Sequence, residues 1–160
     1  MTTVMCCSMI RSQFVYVGGF AERKSGVRRI IESHKIHPDF DQSKLRNDVC
    51  LVLLKKELPY GPNVQPICLP DESFELIDDE EVYIAGWGSK SVSGGLESNL
   101  RSAQLNIKSF EICSKNYGKD GMELNKEAQF CASTNDGGVG PCRGDWGGPA
   151  VVLRTDSNFK

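Results

Sequence analysis

Hydrophobic and polar residues alternate in short runs along most of this chain. The alternation, together with the β-branched residues in the runs, predicts strands at Phe14–Val17, Val27–Ile36, Val49–Leu54, Val82–Trp87, Leu100–Ile107 and Ala150–Arg154. Clusters of turn-forming residues separate the runs, as in HPDFDQS, PYGPN, SVSGG and TNDGG. Short strands at this spacing are typical of an all-β sandwich or barrel.

An acidic segment interrupts this pattern near the middle of the chain. Residues 71–81, with the sequence DESFELIDDEE, contain seven acidic residues and no basic one. We interpret the segment as a solvated linker between two halves, in preference to an acidic docking site. A linker here predicts an N-terminal part, 1–75, and a C-terminal part, 76–160, which together form one domain.

Composition and charge exclude several classes of protein. The 160 residues suffice for one globular domain, and a net charge of −2 creates no global field that would attract nucleic acid or an anionic membrane. The longest purely apolar run, Val49–Leu54, is much shorter than the ~18 residues of a membrane-spanning helix. The N-terminal stretch MTTVMCCSMIRSQ lacks the basic start, apolar core and cleavage site of a secretory signal, so we expect none in this chain.

Four motifs, taken together, indicate a family. Residues 46–49 read RNDV and run into a leucine-rich strand, residues 66–70 read PICLP, residues 85–88 read AGWG, and residues 142–149 read CRGDWGGP. In this order and at these separations they resemble the chymotrypsin/trypsin-like serine proteases (peptidase S1) over nearly the whole chain. The resemblance implies an all-β, chymotrypsin-like double β-barrel. It also implies that the chain is truncated at both ends, with part of the N-terminal barrel and most of the C-terminal barrel, which lacks its last strands.

The resemblance assigns the positions of the catalytic triad. In this family a histidine removes the proton of a serine nucleophile, and a buried aspartate orients the histidine. Asp48 matches the aspartate. The nucleophile motif GDSGGP reads GDWGGP here, so Trp146 occupies the serine position, and an indole carries neither a hydroxyl nor a thiol. The stretch that matches the histidine motif places Ser8 at the base position.

Other site positions also follow from the resemblance. The backbone amides of Gly144 and Trp146 match the donors of the oxyanion hole. Gly140 stands where trypsin-like enzymes carry the aspartate of the specificity pocket. The family partner of Asp145 is an amine at a new N-terminus that this chain does not supply, and we therefore expect this carboxylate to be exposed or its loop to be disordered. The two histidines, His34 and His37, are expected to be structural or solvent-facing.

Seven cysteines leave at least one without a partner in the chain. The resemblance implies a disulfide between Cys113 and Cys131, and it places Val82 opposite Val152 where many relatives have another bridge. Cys142 and Cys68 match cysteines whose partners this chain lacks. Cys50 is expected to be a small buried residue, and the sequence leaves open the partners and redox states of Cys6 and Cys7.

The replaced triad positions favour a non-catalytic serine protease homologue that is not an enzyme. Such a pseudoprotease would bind a protein partner: a protease, an inhibitor or an immune protein. One alternative is an active serine-type endopeptidase, which needs another nucleophile and another base. The other is a partial gene product without a folded function. We expect no cofactor and no metal site, since adjacent cysteines lack the usual spacing of zinc ligands. The family implies an extracellular location, and the sequence identifies neither the organism nor the partner.

Overall fold

A computed structural model of the chain describes residues 1–9, 13–19 and 22–154. In these ranges short strands predominate and two short helices join them. The elements are, in chain order, α1 (Val4–Met9), β1 (Phe14–Val17), β2 (Val27–Ile36), β3 (Cys50–Leu54), β4 (Glu81–Gly86), β5 (Arg101–Lys108), α2 (Phe110–Gly118), β6 (Cys131–Ser133) and β7 (Ala150–Val152).

The first sheet has the strand order β1-β2-β3, and both pairings are antiparallel. Because side chains alternate between the two faces of a strand, β3 buries Cys50 and turns Leu51 and Leu53 outward, where they are 53% and 56% exposed. The inward face packs on α1, and the small core there consists of Val4, Cys7 and Cys50.

The second sheet has the strand order β6-β5-β4-β7. Its core consists of Val82 from β4 with Leu105 and Ile107 from β5, all at most 3% exposed. Val82 lies directly opposite Val152 of β7, and Val152 packs against this core. The expectation that these two valines face each other is confirmed.

The all-β prediction is confirmed, and each of the six predicted strands overlaps an observed one. The bounds of β1 and β2 agree with the prediction, whereas β7 ends at Val152 rather than at Arg154. Neither sheet closes into a barrel within the described residues. The sequence did not predict β6 or the two helices, and the boundary near residue 75 stays a prediction.

Candidate functional site

One compact unit of the chain contains most of the predicted site residues. The unit is assembled from three stretches, Met1–Ile67, Ala85–Arg101 and Pro141–Gly148. Within it lie four of the predicted positions, Ser8, Asp48, Gly144 and Trp146. The fifth, Gly140, belongs to the other unit, where a side chain at this position would meet nothing within 4 Å.

Asp48 is a half-buried carboxylate that lies against the start of α1. The Val4 amide donates a hydrogen bond of 2.7 Å to its Oδ1. The preceding residue, Asn47, adopts a positive φ of 53°, and its side-chain amide donates to the Asp39 carbonyl at 2.9 Å. This tight turn places Asp48 two residues before β3. Ser8 is exposed on the same helix α1.

The loop of residues 142–149 turns sharply around the predicted nucleophile position. Gly144 and Gly147 have φ values of 98° and 78°, a region in which a residue with a side chain is strained. The amides of Gly144 and Trp146 donate no hydrogen bond to the part of the chain that the structure describes. The Trp146 side chain is 57% exposed. The loop therefore presents two unpaired amides next to an exposed indole.

Two side chains near the N-terminus contact this loop. The Cys6 thiol donates to the Trp146 carbonyl at 3.0 Å, and the Thr2 hydroxyl donates to the Gly147 carbonyl at 3.3 Å. Neither residue was assigned to the site from the sequence. A Cβ on Gly147 would contact both side chains, so a glycine is needed where the loop passes them.

The expectation that Asp145 is exposed or lies in a disordered loop is wrong. Its carboxylate is half-buried and accepts two backbone hydrogen bonds, from Gly88 at 2.8 Å and from Cys142 at 2.9 Å. These amides satisfy the charge in place of an amine, because a carboxylate accepts strong hydrogen bonds from backbone N–H groups. Gly86 and Gly88 leave room for it, since a Cβ at either position would contact the Asp145 carboxyl group.

The structure contains one disulfide that was predicted and one that was not. Cys113 and Cys131 are bonded, as the resemblance implied. Cys50 is buried as expected, but it is bonded to Cys7 on α1 rather than being a free thiol. The pairing could have been anticipated from the position of Cys50 in β3, because its side chain points to the inward face of the sheet. Three cysteines are free: Cys6, Cys68 and Cys142.

The histidines lie on the outer part of the same unit. His34 on β2 and His37 after it are both exposed, as predicted. The His37 Nδ1 accepts a hydrogen bond from the Asp39 amide at 3.1 Å. Its backbone amide donates to the Val49 carbonyl at 3.0 Å, which brings this part of the chain beside the strand that follows Asp48.

Two concavities are lined by residues other than the predicted triad, oxyanion-hole and specificity-pocket residues. A concavity of about 510 Å³ is lined by residues 18–19 and 62–65, and a second of about 580 Å³ lies between the acidic segment and α2. In the described residues no group of histidine, cysteine and acidic side chains is arranged to hold a metal ion. The helices in those ranges are too short and too polar to cross a bilayer.

Comparison with known proteins identifies relatives over most of the chain. The family model described as Trypsin matches residues 2–156. The chain is 33% identical over 125 residues to the venom serine protease Bi-VSP of Bombus ignitus. This alignment covers 76% of the chain and 35% of the relative. It is 27% identical over 124 residues to transmembrane protease serine 11G of Mus musculus, in an alignment that covers 78% of the chain and 29% of the relative. The chain thus spans about a third of the length of these curated relatives.

These matches overturn one prediction. The expectation that the chain is not an enzyme is wrong, because a peptidase family model matches almost the whole chain and both relatives are named as serine proteases. That expectation rested on the two replaced triad positions, Ser8 and Trp146, whereas the family match covers residues 2–156. The catalytic, oxyanion-hole and pocket assignments stay predictions.

Proposed function

This chain belongs to the trypsin family of serine proteases. From this premise we propose that it acts as a serine-type endopeptidase, which hydrolyses peptide bonds. The family match over residues 2–156 is the observation that carries the proposal. Because the chain spans about a third of its relatives, the activity is proposed for the whole protein in which it works.

Asp48 is positioned for the orienting role in such a reaction. Its Oδ1 is held by the Val4 amide at 2.7 Å, and within the described residues Oδ2 accepts no hydrogen bond. A carboxylate fixed in this way can accept an N–H from an imidazole, which holds the base in the correct tautomer and stabilises its protonated form.

The loop of residues 142–149 supports the electrostatic part of the reaction. Two backbone amides without partners among the described residues, those of Gly144 and Trp146, are suited to stabilise the oxyanion of a tetrahedral intermediate. The Asp145 carboxylate accepts one amide hydrogen bond from Cys142 in the same loop and one from Gly88 in another part of the unit, and so braces the loop. Such preorganised donors require no rearrangement at the moment of reaction.

The attacking group has to come from a side chain other than Trp146, because an indole offers only an N–H donor. We would treat the protein with a fluorophosphonate probe, map the labelled residue by mass spectrometry and measure the hydrolysis of a generic peptide library. Labelling of one hydroxyl together with hydrolysis is expected. Absence of both would refute the proposal.

Two variants make this experiment specific. D48N keeps the shape of the side chain but removes the charge that orients the base, and it should lower kcat by about 10⁴-fold, as in the Ser-His-Asp triad. W146F removes the only polar group of the indole and should leave hydrolysis nearly unchanged. Equal activity of D48N and the unchanged protein would assign Asp48 a structural role.

The location of this activity is proposed to be extracellular. One relative is named a venom protease, and the chain contains two disulfides, which persist in oxidising compartments. Trapping the thiols of the protein in its native source tests this, because protection of Cys7, Cys50, Cys113 and Cys131 is expected there. Full alkylation of all four would contradict it.

Binding of a protein partner is a second candidate function, favoured by the exposed indole of Trp146. Exposed tryptophans are frequent anchors of interfaces, and truncation of such an anchor typically costs more than about 2 kcal/mol of binding free energy. With an active trypsin as the probe, W146A should therefore bind at least about 10-fold more weakly than the unchanged protein. Equal affinities would exclude Trp146 as the anchor.

A further inference from the structure

Two adjacent cysteines on α1 have different partners. Cys7 is bonded to Cys50, and both residues are at most 2% exposed. Cys6 is a free thiol, half-buried, and donates to the Trp146 carbonyl at 3.0 Å. Neighbouring residues of a helix are rotated by about 100° from each other, so one cysteine contacts β3 while the other contacts the loop of residues 142–149.

We propose that Cys6, Cys7 and Cys50 form a thiol–disulfide switch in which Cys6 replaces Cys7 as the partner of Cys50. The Cys6 thiol gives up its proton to solvent, and the resulting thiolate attacks the Cys50 Sγ. The Cys6–Cys50 bond forms as the Cys7–Cys50 bond breaks, and Cys7 leaves as a thiolate that takes up a proton. One disulfide and one thiol stand on each side, so the exchange consumes neither an oxidant nor a reductant.

Chain entropy does not distinguish the two isomers. The existing bond joins residues 43 positions apart, and the alternative bond would join residues one position further apart. The entropy of closing a loop depends on the logarithm of its length, so one more residue changes it negligibly. Local contacts therefore decide the ratio of the isomers. The existing isomer buries Cys7 in the core with Val4 and keeps the hydrogen bond from Cys6 to the loop.

The switch couples the thiols to the loop that carries Trp146. In the Cys6–Cys50 isomer the sulfur of Cys6 has no proton to donate, so the Trp146 carbonyl loses its hydrogen bond. Among the described residues, the bond from the Thr2 hydroxyl to the Gly147 carbonyl is then the remaining side-chain hydrogen bond from residues 1–9 to this loop. Exchange at α1 is thereby expected to alter the position of the exposed indole.

The unchanged protein provides the first test. The chain is equilibrated in a glutathione redox buffer, quenched with N-ethylmaleimide, digested and sequenced by tandem mass spectrometry, which distinguishes an adduct on Cys6 from one on Cys7. Cys6 should carry most of the adduct and Cys7 a minor share, on the order of 1–10%, as for a minor state a few kcal/mol above the major one. An adduct on Cys6 alone would overturn the switch.

Two matched variants provide the second test. C7A removes the present partner of Cys50 and should form a Cys6–Cys50 disulfide, whereas the control C6A should retain Cys7–Cys50. Free thiols at both Cys6 and Cys50 in C7A, under conditions that oxidise C6A, would contradict the proposal. If C7A fails to fold, the adduct ratio in the unchanged protein still decides.

Trp146 fluorescence tests the coupling. In a W87F background the emission reports Trp146 alone, because the chain has two tryptophans. Loss of the thiol donor should shift the emission maximum in the same direction in C7A and in C6A, relative to the W87F parent. An unshifted C7A spectrum would show that the exchange does not reach the loop.

Discussion

The two sheets of this protein stabilise their cores by different means. Beneath β3 the core consists of Val4 and the disulfide-bonded pair Cys7 and Cys50, so a covalent bond takes the place of apolar area. Between β4 and β5 the core is aliphatic, with Val82, Leu105 and Ile107 almost fully buried. The Cys113–Cys131 bond of that part links α2 to β6 outside this cluster.

This difference bears on function, because the predicted triad residue Asp48 is hydrogen-bonded to the disulfide-containing core. Asp48 lies two residues before β3, and its carboxylate accepts a hydrogen bond from the amide of Val4, a member of that core. The site is thus attached to a small core whose integrity depends on the state of two sulfurs. The aliphatic cluster itself contains no cysteine, so its packing should depend less on redox conditions than that of the first core.

Removal of the Cys7–Cys50 bond should have the largest effect on stability. Closing a loop of 43 residues restricts the unfolded chain by about 4 kcal/mol, and closing one of 18 residues by about 3 kcal/mol. The double variant C7A/C50A should therefore lose more unfolding free energy than C113A/C131A, as measured by denaturant titration. A smaller loss in C7A/C50A would show that the first core does not depend on its disulfide.

A cavity in the aliphatic core should be the next largest perturbation. Leu105 is 2% exposed, and Leu105→Ala should lower the free energy of unfolding by about 3 kcal/mol through lost burial and a residual cavity. Val92, at 89% exposed, provides the control, because Val92→Ala should change it by less than about 0.5 kcal/mol. Reduction with dithiothreitol should leave the L105A effect unchanged, and a marked dependence would break the distinction between the two cores.

The niche of Asp145 offers a third, smaller test. A methyl group on Gly88 would meet the Asp145 carboxyl group, whereas one on Gly95 would meet nothing within 4 Å. Gly88→Ala should cost about 2 kcal/mol of stability and release the loop, and Gly95→Ala should cost much less. Amide hydrogen exchange at residues 142–148 measures the release. Equal exchange in both variants would mean that Asp145 does not brace the loop.

Local patterns sufficed to predict most strands, and contacts distant in sequence explain what was missed. The β-branched residues of Val27–Ile36 identified β2 within its observed bounds, because such residues favour strands. The three residues of β6, Cys131–Ser133, are too few to show a period. Helix α2 has only one buried residue, Cys113, and therefore little apolar periodicity to detect.

Sequence motifs predicted the site residues that they contain. They did not predict the contacts that are made by backbone groups. The motif around Asp48 identified its position before β3. The donors to Asp145 are backbone amides, one of them 57 residues away, and every residue type except proline carries such a group. The Cys7–Cys50 pair escaped for a related reason, since pairing depends on the approach of α1 to β3 and connectivity does not follow from cysteine spacing.

The smallest expected effect concerns the ion pair between Arg154 and Glu80, which lies in the part of the chain with the aliphatic core. The Arg154 guanidinium donates to the Glu80 carboxylate at 2.7 and 2.8 Å. This hydrogen bonding lowers the pKa of Glu80 from its ordinary value of 4.5, although burial acts in the opposite direction. Because the pKa is lower in the folded state, the contribution to stability is complete above pH 4.5 and is lost as pH falls through the folded value.

Glu80→Gln should therefore lower the unfolding free energy by about 1 kcal/mol at pH 7, and by progressively less as the solution is acidified below pH 4.5. Glu72→Gln makes the same change of charge at an exposed position of the acidic segment and should have almost no effect. Thermal unfolding from pH 7 to pH 3 provides the measurement. A difference between E80Q and the unchanged protein that persists at pH 3 would assign the role of Glu80 to packing.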